Sequence, residues 1–186
     1  MIHELEPTQK NINFFRDETN PAENRVGARI AVGTNEAETL IYALEIKAAN
    51  IERERLINGD TEQEPTVDET LEADRTIKKI QGLTTYLRGR DPFVPSATLK
   101  AFSESLGSNA LSQEDNEPRL FEDKQGVKCA VLQPDDFEFV EGCLDDAFIE
   151  ISGETGTGTN RADLDVRAMD MREILDRLKD FKDYEA

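Results

Sequence analysis

A regular pattern of apolar positions predicts a short strand followed by a first long helix. The strand is the apolar run Ala28–Val32. Asn35 and Glu38 then match a capping box, which starts a helix, and Asn58-Gly59 ends it. Between these limits the apolar residues recur every three or four positions, as the buried face of a helix requires: Ala37, Ile41, Leu44, Ala48 and Ile51.

A second helix follows after the polar connection 61–65. It begins at Thr66, which matches another capping box with Glu69, and it ends before Gly89 and Pro92. Two helices of this length with a short connection favour an antiparallel helical hairpin. The apolar side of the second helix consists of Val67, Leu71, Ile77, Ile80, Leu83 and Leu87.

The pattern changes in the second half of the chain. Residues 97–106 fit a short third helix, and the polar segment 108–118 is the best candidate for a boundary between lobes. Leu120–Glu122 and Val127–Leu132 then flank Asp-Lys-Gln-Gly, a sequence typical of a β-hairpin with glycine at a position of positive φ. Alternating or continuous apolar positions predict three further strands, at 137–140, 147–152 and 163–168.

A final helix is predicted from the capping box of Asp170 and Glu173 and the apolar stripe from Met171 to Phe181. The predicted fold is therefore α+β: a helical hairpin plus a short helix, then a small antiparallel sheet with a terminal helix. Three parts are predicted, which together could form one domain. They are an extended N-terminal arm (1–27), a mainly helical part (28–113) and an acidic β-rich part with the terminal helix (114–186).

The arm contains the one apolar cluster that could hold it in place. No period of two or 3.6 residues persists in it, and its composition is rich in Asn, Pro, Glu and Thr. Ile12, Phe14 and Phe15 are the predicted anchors. They could dock on the chain's own domain or on a neighbouring protein, and the sequence leaves both alternatives open.

Negative charge is concentrated in the second half of the chain. The sequence carries 40 acidic and 22 basic residues, a formal net charge of −18. Residues 114–155 hold 13 of the acids and only 3 bases, whereas residues 65–113 are balanced. A field of this sign disfavours contact with nucleic acid or anionic membranes and favours encounter with a basic protein. Predicted partner-binding residues are Asp135, Asp136, Glu138, Glu141, Asp145 and Asp146.

No residue pattern in the chain indicates a catalytic centre or a cofactor. His3 is the only histidine, so a nucleophile–histidine system would have to use it. The Gly-rich loop 153–160 lacks the lysine that a phosphate-binding loop needs. Cys129 and Cys143 stand in apolar sequence, which favours two buried free thiols over a disulfide. We therefore expect no enzyme activity, no cofactor and no assigned metal ligands.

Three hypotheses of function follow. The first is a structural or assembly protein that contacts other proteins, or copies of itself, over several surfaces, as the small subunits of viral particles do by fold-level analogy. The second is an acidic inhibitor, of the immunity or anti-defence type, that mimics nucleic acid and occupies a basic groove. The third is a divalent-metal-dependent binder or enzyme that uses the acidic cluster. In each case we expect a soluble protein that is cytoplasmic, or assembled from a cytoplasmic pool, because no signal-peptide pattern or membrane-spanning apolar run is present.

Overall fold

Among the described residues, four antiparallel strands form one sheet. The computed structural model describes residues 5, 7, 10–19, 21–59, 65–90, 120–153 and 161–184. The strands are β1 (Ile12–Arg16), β2 (Val26–Ala31), β3 (Leu120–Glu122) and β4 (Lys128–Leu132), and their order across the sheet is β1-β2-β4-β3. The two central strands thus come from parts of the chain that are about a hundred residues apart.

The register of the strands divides the sheet into two faces. Ile12 lies opposite Ile30, and Ile30 lies opposite Ala130, so these side chains share one face. All three are buried. The predicted hairpin between β3 and β4 is confirmed: Gly126 has a φ of 78°, and the Asp123 carboxylate accepts the Gln125 and Val127 N–H groups in the turn.

The predicted helical hairpin is confirmed, with a shift at its first cap. Helix α1 spans Asn35–Gly59 and helix α2 spans Val67–Leu87, and the two pack against each other. The capping box of Thr66 forms as predicted. At the start of α1, however, the capping oxygen belongs to Thr34, whose hydroxyl accepts the Ala37 N–H, so Asn35 is already the first helical residue.

The strands predicted at 137–140 and 147–152 are wrong, because both ranges belong to helix α3 (Pro134–Gly153). The side chains buried on α3 recur every three or four positions, which fills one helical stripe: Phe137, Val140, Leu144, Ala147 and Ile151. The strand was predicted because Phe137 and Phe139 are two positions apart, as residues on one face of a strand are. Proline in the first turn and carboxylates beside it are favourable at a helix N-terminus.

The strand predicted at 163–168 is also wrong, and the final helix begins earlier than predicted. Helix α4 spans Arg161–Asp183, so Asp170 lies inside it and caps nothing. Leu164 and Ala168, four residues apart, pack against the core, while Val166 between them is exposed. These residues therefore follow the spacing of a helix, about four positions, and not the alternation of a strand.

One apolar core joins all these elements. Helix α3 contacts α1 on one side, α4 on the other, and strands β2 and β4 beneath it. Tyr86, fully buried near the end of α2, places its hydroxyl at the edge of β4, where it accepts the Val131 N–H at 2.8 Å. The α+β class is thus confirmed, but half of the sheet comes from residues before α1. The helix predicted at 97–106, the linker 108–118 and the loop residues 154–160 lie outside the described residues.

Candidate interaction surfaces

Two of the three predicted anchors of the N-terminal segment pack on the chain's own core. Ile12, on the buried face of the sheet, is 1% exposed. The ring of Phe14 lies 5.8 Å from that of Phe137 on α3 and 5.8 Å from that of Phe181 on α4. Of the two alternatives, intramolecular docking therefore describes these side chains, and Ile12 has no free surface for a partner.

Phe15 lies on the other face of the sheet and packs on a glycine. Its ring covers the Cα of Gly27 in β2, and a Cβ built on that glycine would collide with the ring and lie 2.7 Å from the Leu132 carbonyl oxygen. Phe15 is half-buried in this position. The three predicted anchors therefore do not form one surface, because consecutive strand residues point to opposite faces.

The predicted acidic residues all lie on α3, but they occupy both of its flanks and form ion pairs with different elements on each. On the flank towards β2 and α4, Arg25 binds Asp135 and lies 3.6 Å from the Glu138 carboxylate. On the same flank Lys182 lies 2.7 Å from Glu141.

On the flank of α3 towards the helical hairpin, further polar contacts occupy the remaining carboxylates. Lys79 of α2 lies 3.4 Å from Asp136, and Lys47 of α1 lies 3.9 Å from Asp146. Asn50 donates to Glu150 at 2.6 Å. The acidic residues that the sequence groups together therefore lie on two flanks of α3, and basic side chains stand beside them on both.

Asp145 is the predicted carboxylate without an ion pair among the described residues. It lines a surface cavity of about 680 Å³ together with Glu138 and Glu141 and the cations Arg25 and Lys182. Burial raises the pKa of Asp145, and the neighbouring carboxylates Glu141 and Asp146 raise it further. The cavity therefore mixes both signs of charge.

The described residues include no group of three or more His, Cys, Asp or Glu side chains placed to hold a metal ion. Cys129 and Cys143 are buried free thiols. Burial raises the pKa of Cys143 to about 11 and also raises the pKa of Cys129, so both are protonated, weakly nucleophilic groups near neutral pH. His3 lies outside the described residues.

A surface that the sequence did not single out lies at the far end of the helical hairpin. We call residues 52–59 of α1 and 65–76 at the start of α2 the distal hairpin. Burial in α1 stops at Leu44 and in α2 begins at Ile80, so no described residue of the distal hairpin is buried. Four large apolar side chains are exposed there: Leu56 at 75%, Ile57 at 58%, Val67 at 76% and Leu71 at 48%.

Helical geometry places three of these four side chains on one flank of the hairpin. Arg55 joins the two helices by binding Asp74 at 2.6 Å and the Thr70 carbonyl oxygen at 3.4 Å. Each next residue turns about 100° around its helix, and antiparallel helices turn in opposite senses. Leu56 and the pair Val67 and Leu71 therefore lie on the same flank, whereas Ile57 lies further round α1.

The distal hairpin carries net negative charge around its apolar residues. Its acidic side chains are Glu52, Glu54, Asp68, Glu69, Glu72 and Asp74, and its basic side chains are Arg53, Arg55 and Arg75. The sequence contains Val67 and Leu71 within the stripe of α2, but nothing in the stripe distinguishes them from the buried Leu83 and Leu87. Val67 and Leu71 lie beyond the polar contacts that α3 makes with the described part of the hairpin, at Lys47, Asn50 and Lys79.

Comparison of the chain with known protein families, with curated proteins and with solved structures finds no match. Across the described ranges, every helix is too short or too polar to span a lipid bilayer. Inferences about function therefore rest on the surfaces themselves.

Proposed function

We propose that the chain is a non-enzymatic assembly protein that docks, through the distal hairpin, on a partner protein with an apolar patch surrounded by basic residues. The observation that carries this proposal is the exposure of Leu56, Val67 and Leu71 on one flank of a hairpin end that contributes nothing to the core. Grouped apolar side chains rimmed by charge are typical of protein–protein contact sites.

The charge of the distal hairpin supports a basic partner. Six carboxylates surround the apolar flank against three guanidinium groups, and the whole chain has a net charge of −18. Opposite charge on the partner accelerates encounter, and like charge opposes the docking of one copy on another. A hetero-assembly, such as attachment to a larger particle, therefore fits this surface better than a homodimer through the hairpin.

The test compares two charge-introducing variants at matched exposure. Leu56→Glu with Val67→Glu places carboxylates on the proposed docking flank. Ile149→Glu, at 68% exposure on α3, introduces a carboxylate elsewhere. Each protein is immobilised, incubated with a lysate of the organism that produces it, and the retained proteins are identified by mass spectrometry. A protein retained by the wild type and by Ile149→Glu is then purified, and its affinity for each variant is measured by calorimetry.

We expect a basic partner whose affinity falls by at least about tenfold with the hairpin double variant, since apolar residues at the centre of an interface dominate binding. The same partner should bind Ile149→Glu as it binds the wild type. Equal affinities for all three proteins, or identical sets of retained proteins, would contradict the proposal. Both variants should unfold within about 0.5 kcal/mol of the wild type, because all three positions are exposed.

A further inference from the structure

A groove of about 460 Å³ runs between the outer edge of β1 and the last turns of α4. Its apolar lining comes from Ile12, Phe14, Phe181 and Tyr184, and its polar lining includes Lys10 and Arg177. Tyr184 is 91% exposed, so this aromatic side chain borders the groove with most of its surface in solvent. The groove lies on a different surface from the distal hairpin.

The strand beside the groove presents backbone hydrogen-bonding groups to it. Ala31 donates to the Asn11 carbonyl at 2.8 Å, and Asp17 donates to the Arg25 carbonyl at 2.9 Å. In an antiparallel pair the residues alternate between facing the partner strand and facing away. Because the backbone groups of odd-numbered residues of β1 face β2, those of Ile12 and Phe14 point outward. Ile12 is only 1% exposed, so the N–H and C=O of Phe14 are the groups that the groove offers.

One of these outward groups has a partner from α4, and others have none among the described residues. The Ile12 carbonyl accepts a hydrogen bond from Arg177 at 3.0 Å. The backbone groups of Phe14 face outward without a bond from any described residue. An edge strand of this kind is a template for pairing with another extended segment.

The groove is a basic site on an otherwise acidic protein. Neither Lys10 nor Arg177 has an ion pair among the described residues, and Asp180 is the only carboxylate lining the groove. A peptide that carries carboxylates is therefore attracted to Lys10 and Arg177, while the chain's net charge of −18 repels a second copy of the chain.

We propose that this groove binds an extended peptide with carboxylate side chains, which adds to the edge of β1 as a fifth strand. Main-chain hydrogen bonds to the N–H and C=O of Phe14 hold the peptide in register, since Ile12 is buried and its carbonyl already accepts from Arg177. Alternate side chains point to the same face of a strand, so apolar residues of the peptide meet Phe181 and Tyr184 on the side of α4. Its carboxylates lie in the positive field of Lys10 and Arg177 at the same edge. Strand addition beside a helix is an established mode of peptide recognition.

The experiment uses the full chain and a labelled synthetic peptide of alternating valine and glutamate. Fluorescence anisotropy measures its binding, and a valine–lysine peptide and an N-methylated valine–glutamate peptide are the matched controls. We expect binding of the first peptide alone, because lysine reverses the charge and N-methylation removes the strand's donors. Hydrogen exchange should slow at the Phe14 amide on binding and stay unchanged at the Asn13 amide, which already faces β2.

Two charge variants on the protein locate the site. Lys10→Glu should weaken the valine–glutamate peptide by about fivefold, the order expected for one exposed ion pair. Lys179→Glu, exposed on α4 outside the groove, should leave the affinity unchanged. Neither variant should alter the capture of a partner protein through the distal hairpin. A negative result for the groove therefore leaves the proposed function untouched, and the reverse also holds.

Three outcomes would overturn the proposal. The first is no binding of the valine–glutamate peptide at millimolar concentration, and the second is equal binding of its N-methylated form. The third is a concentration-dependent dimer of the free protein, seen by light scattering and abolished by Lys10→Glu, which would assign the edge of β1 to a second copy instead.

Discussion

The two ends of the helical hairpin have similar amphipathic sequences and opposite environments. Leu40 and Leu44 in the first half of α1 are fully buried, whereas Leu56 in its last part is 75% exposed. The difference lies in what stands opposite each half. Helices α3 and α4 and the sheet pack on α1, and the contact of Asn50 with Glu150 extends this cover to the end of α3, whereas Arg55 further along α1 contacts the start of α2. An apolar stripe thus shows which side chains of a helix can be buried. The neighbouring elements determine which of them are buried.

The same contrast holds for the polar contacts. In the body of the molecule, Tyr86 binds both the N–H and the carbonyl of Val131 from a fully buried position. In the distal hairpin the polar contacts between the two helices are those of Arg55 with Asp74 and with the Thr70 carbonyl. Exposed ion pairs contribute at most about 1 kcal/mol. The distal hairpin is therefore held mainly by its own helical hydrogen bonds and should open locally before the body unfolds.

The largest expected effect separates the two halves of α1 directly. Leu44→Ala should lower the free energy of unfolding by about 3 kcal/mol, because it leaves a cavity in the core. Leu56→Ala makes the same chemical change in the exposed half and should change it by less than about 0.5 kcal/mol. Urea denaturation followed by circular dichroism measures both. Similar losses for the two variants would mean that the distal hairpin belongs to the core.

A second prediction concerns whether β1 belongs to the body. Phe14→Ala should cost about 2 kcal/mol, since the ring packs against Phe137 and Phe181 and leaves a gap when removed. Phe121→Ala on the opposite edge strand, where the ring is 39% exposed, is the control and should cost much less. An unchanged unfolding midpoint for Phe14→Ala would contradict this prediction. It would favour the alternative in which Phe14 packs on a partner protein.

A third prediction tests the link between α2 and the sheet. Tyr86→Phe removes the hydroxyl that binds the backbone of Val131 and should cost about 1 kcal/mol. Tyr42→Phe removes a hydroxyl from a partly buried ring that packs under Arg167 and makes no hydrogen bond through its oxygen to described residues. Its unfolding free energy should stay close to that of the wild type. Equal effects of the two variants would contradict the role given to Tyr86.

The smallest expected effect concerns charge on the body. The raised pKa of Asp145 means that its ionised form is less favourable in the folded chain than in the unfolded chain. Asp145→Asn should therefore stabilise the protein at pH 7, by up to about 0.5 kcal/mol. The gain should shrink as the pH falls through the raised pKa and vanish below 3.8, the ordinary value. Asp165→Asn, exposed on α4, is the control. A stabilisation by Asp145→Asn that increases towards low pH would contradict the prediction.

Local signals in the sequence predicted several elements correctly, although the capping boxes of Asn35 and Asp170 did not mark the starts of their helices. The capping box of Thr66, the glycine at position 126 and the long stripes of α1 and α2 all correspond to observed features. Where the signal was short and ambiguous, the prediction failed. Phe137 and Phe139 suggested alternation, whereas the buried residues from Phe137 to Ile151 satisfy a helical period over about four turns.

Long-range features could not be read from the pattern. Pairing of β1 with β2 and of β2 with β4 depends on contacts between distant segments, and no local period encodes it. Ile12 and Phe14 were recognised as anchors, but the sequence could not say that their partner is the chain's own core. The acidic residues of α3 were recognised as a group, yet their separation by Arg25, Lys79 and Lys182 follows from tertiary packing.

Photo-crosslinking tests most directly the claim that the distal hairpin carries binding and not stability. A benzophenone amino acid replaces Leu56, on the docking flank, in one protein and Ile149 in another, since both side chains are more than half exposed. Both proteins are irradiated with the partner identified by differential capture. We expect a crosslink from position 56, none from position 149, and unfolding free energies like that of the wild type. A crosslink from position 149 alone would contradict this claim.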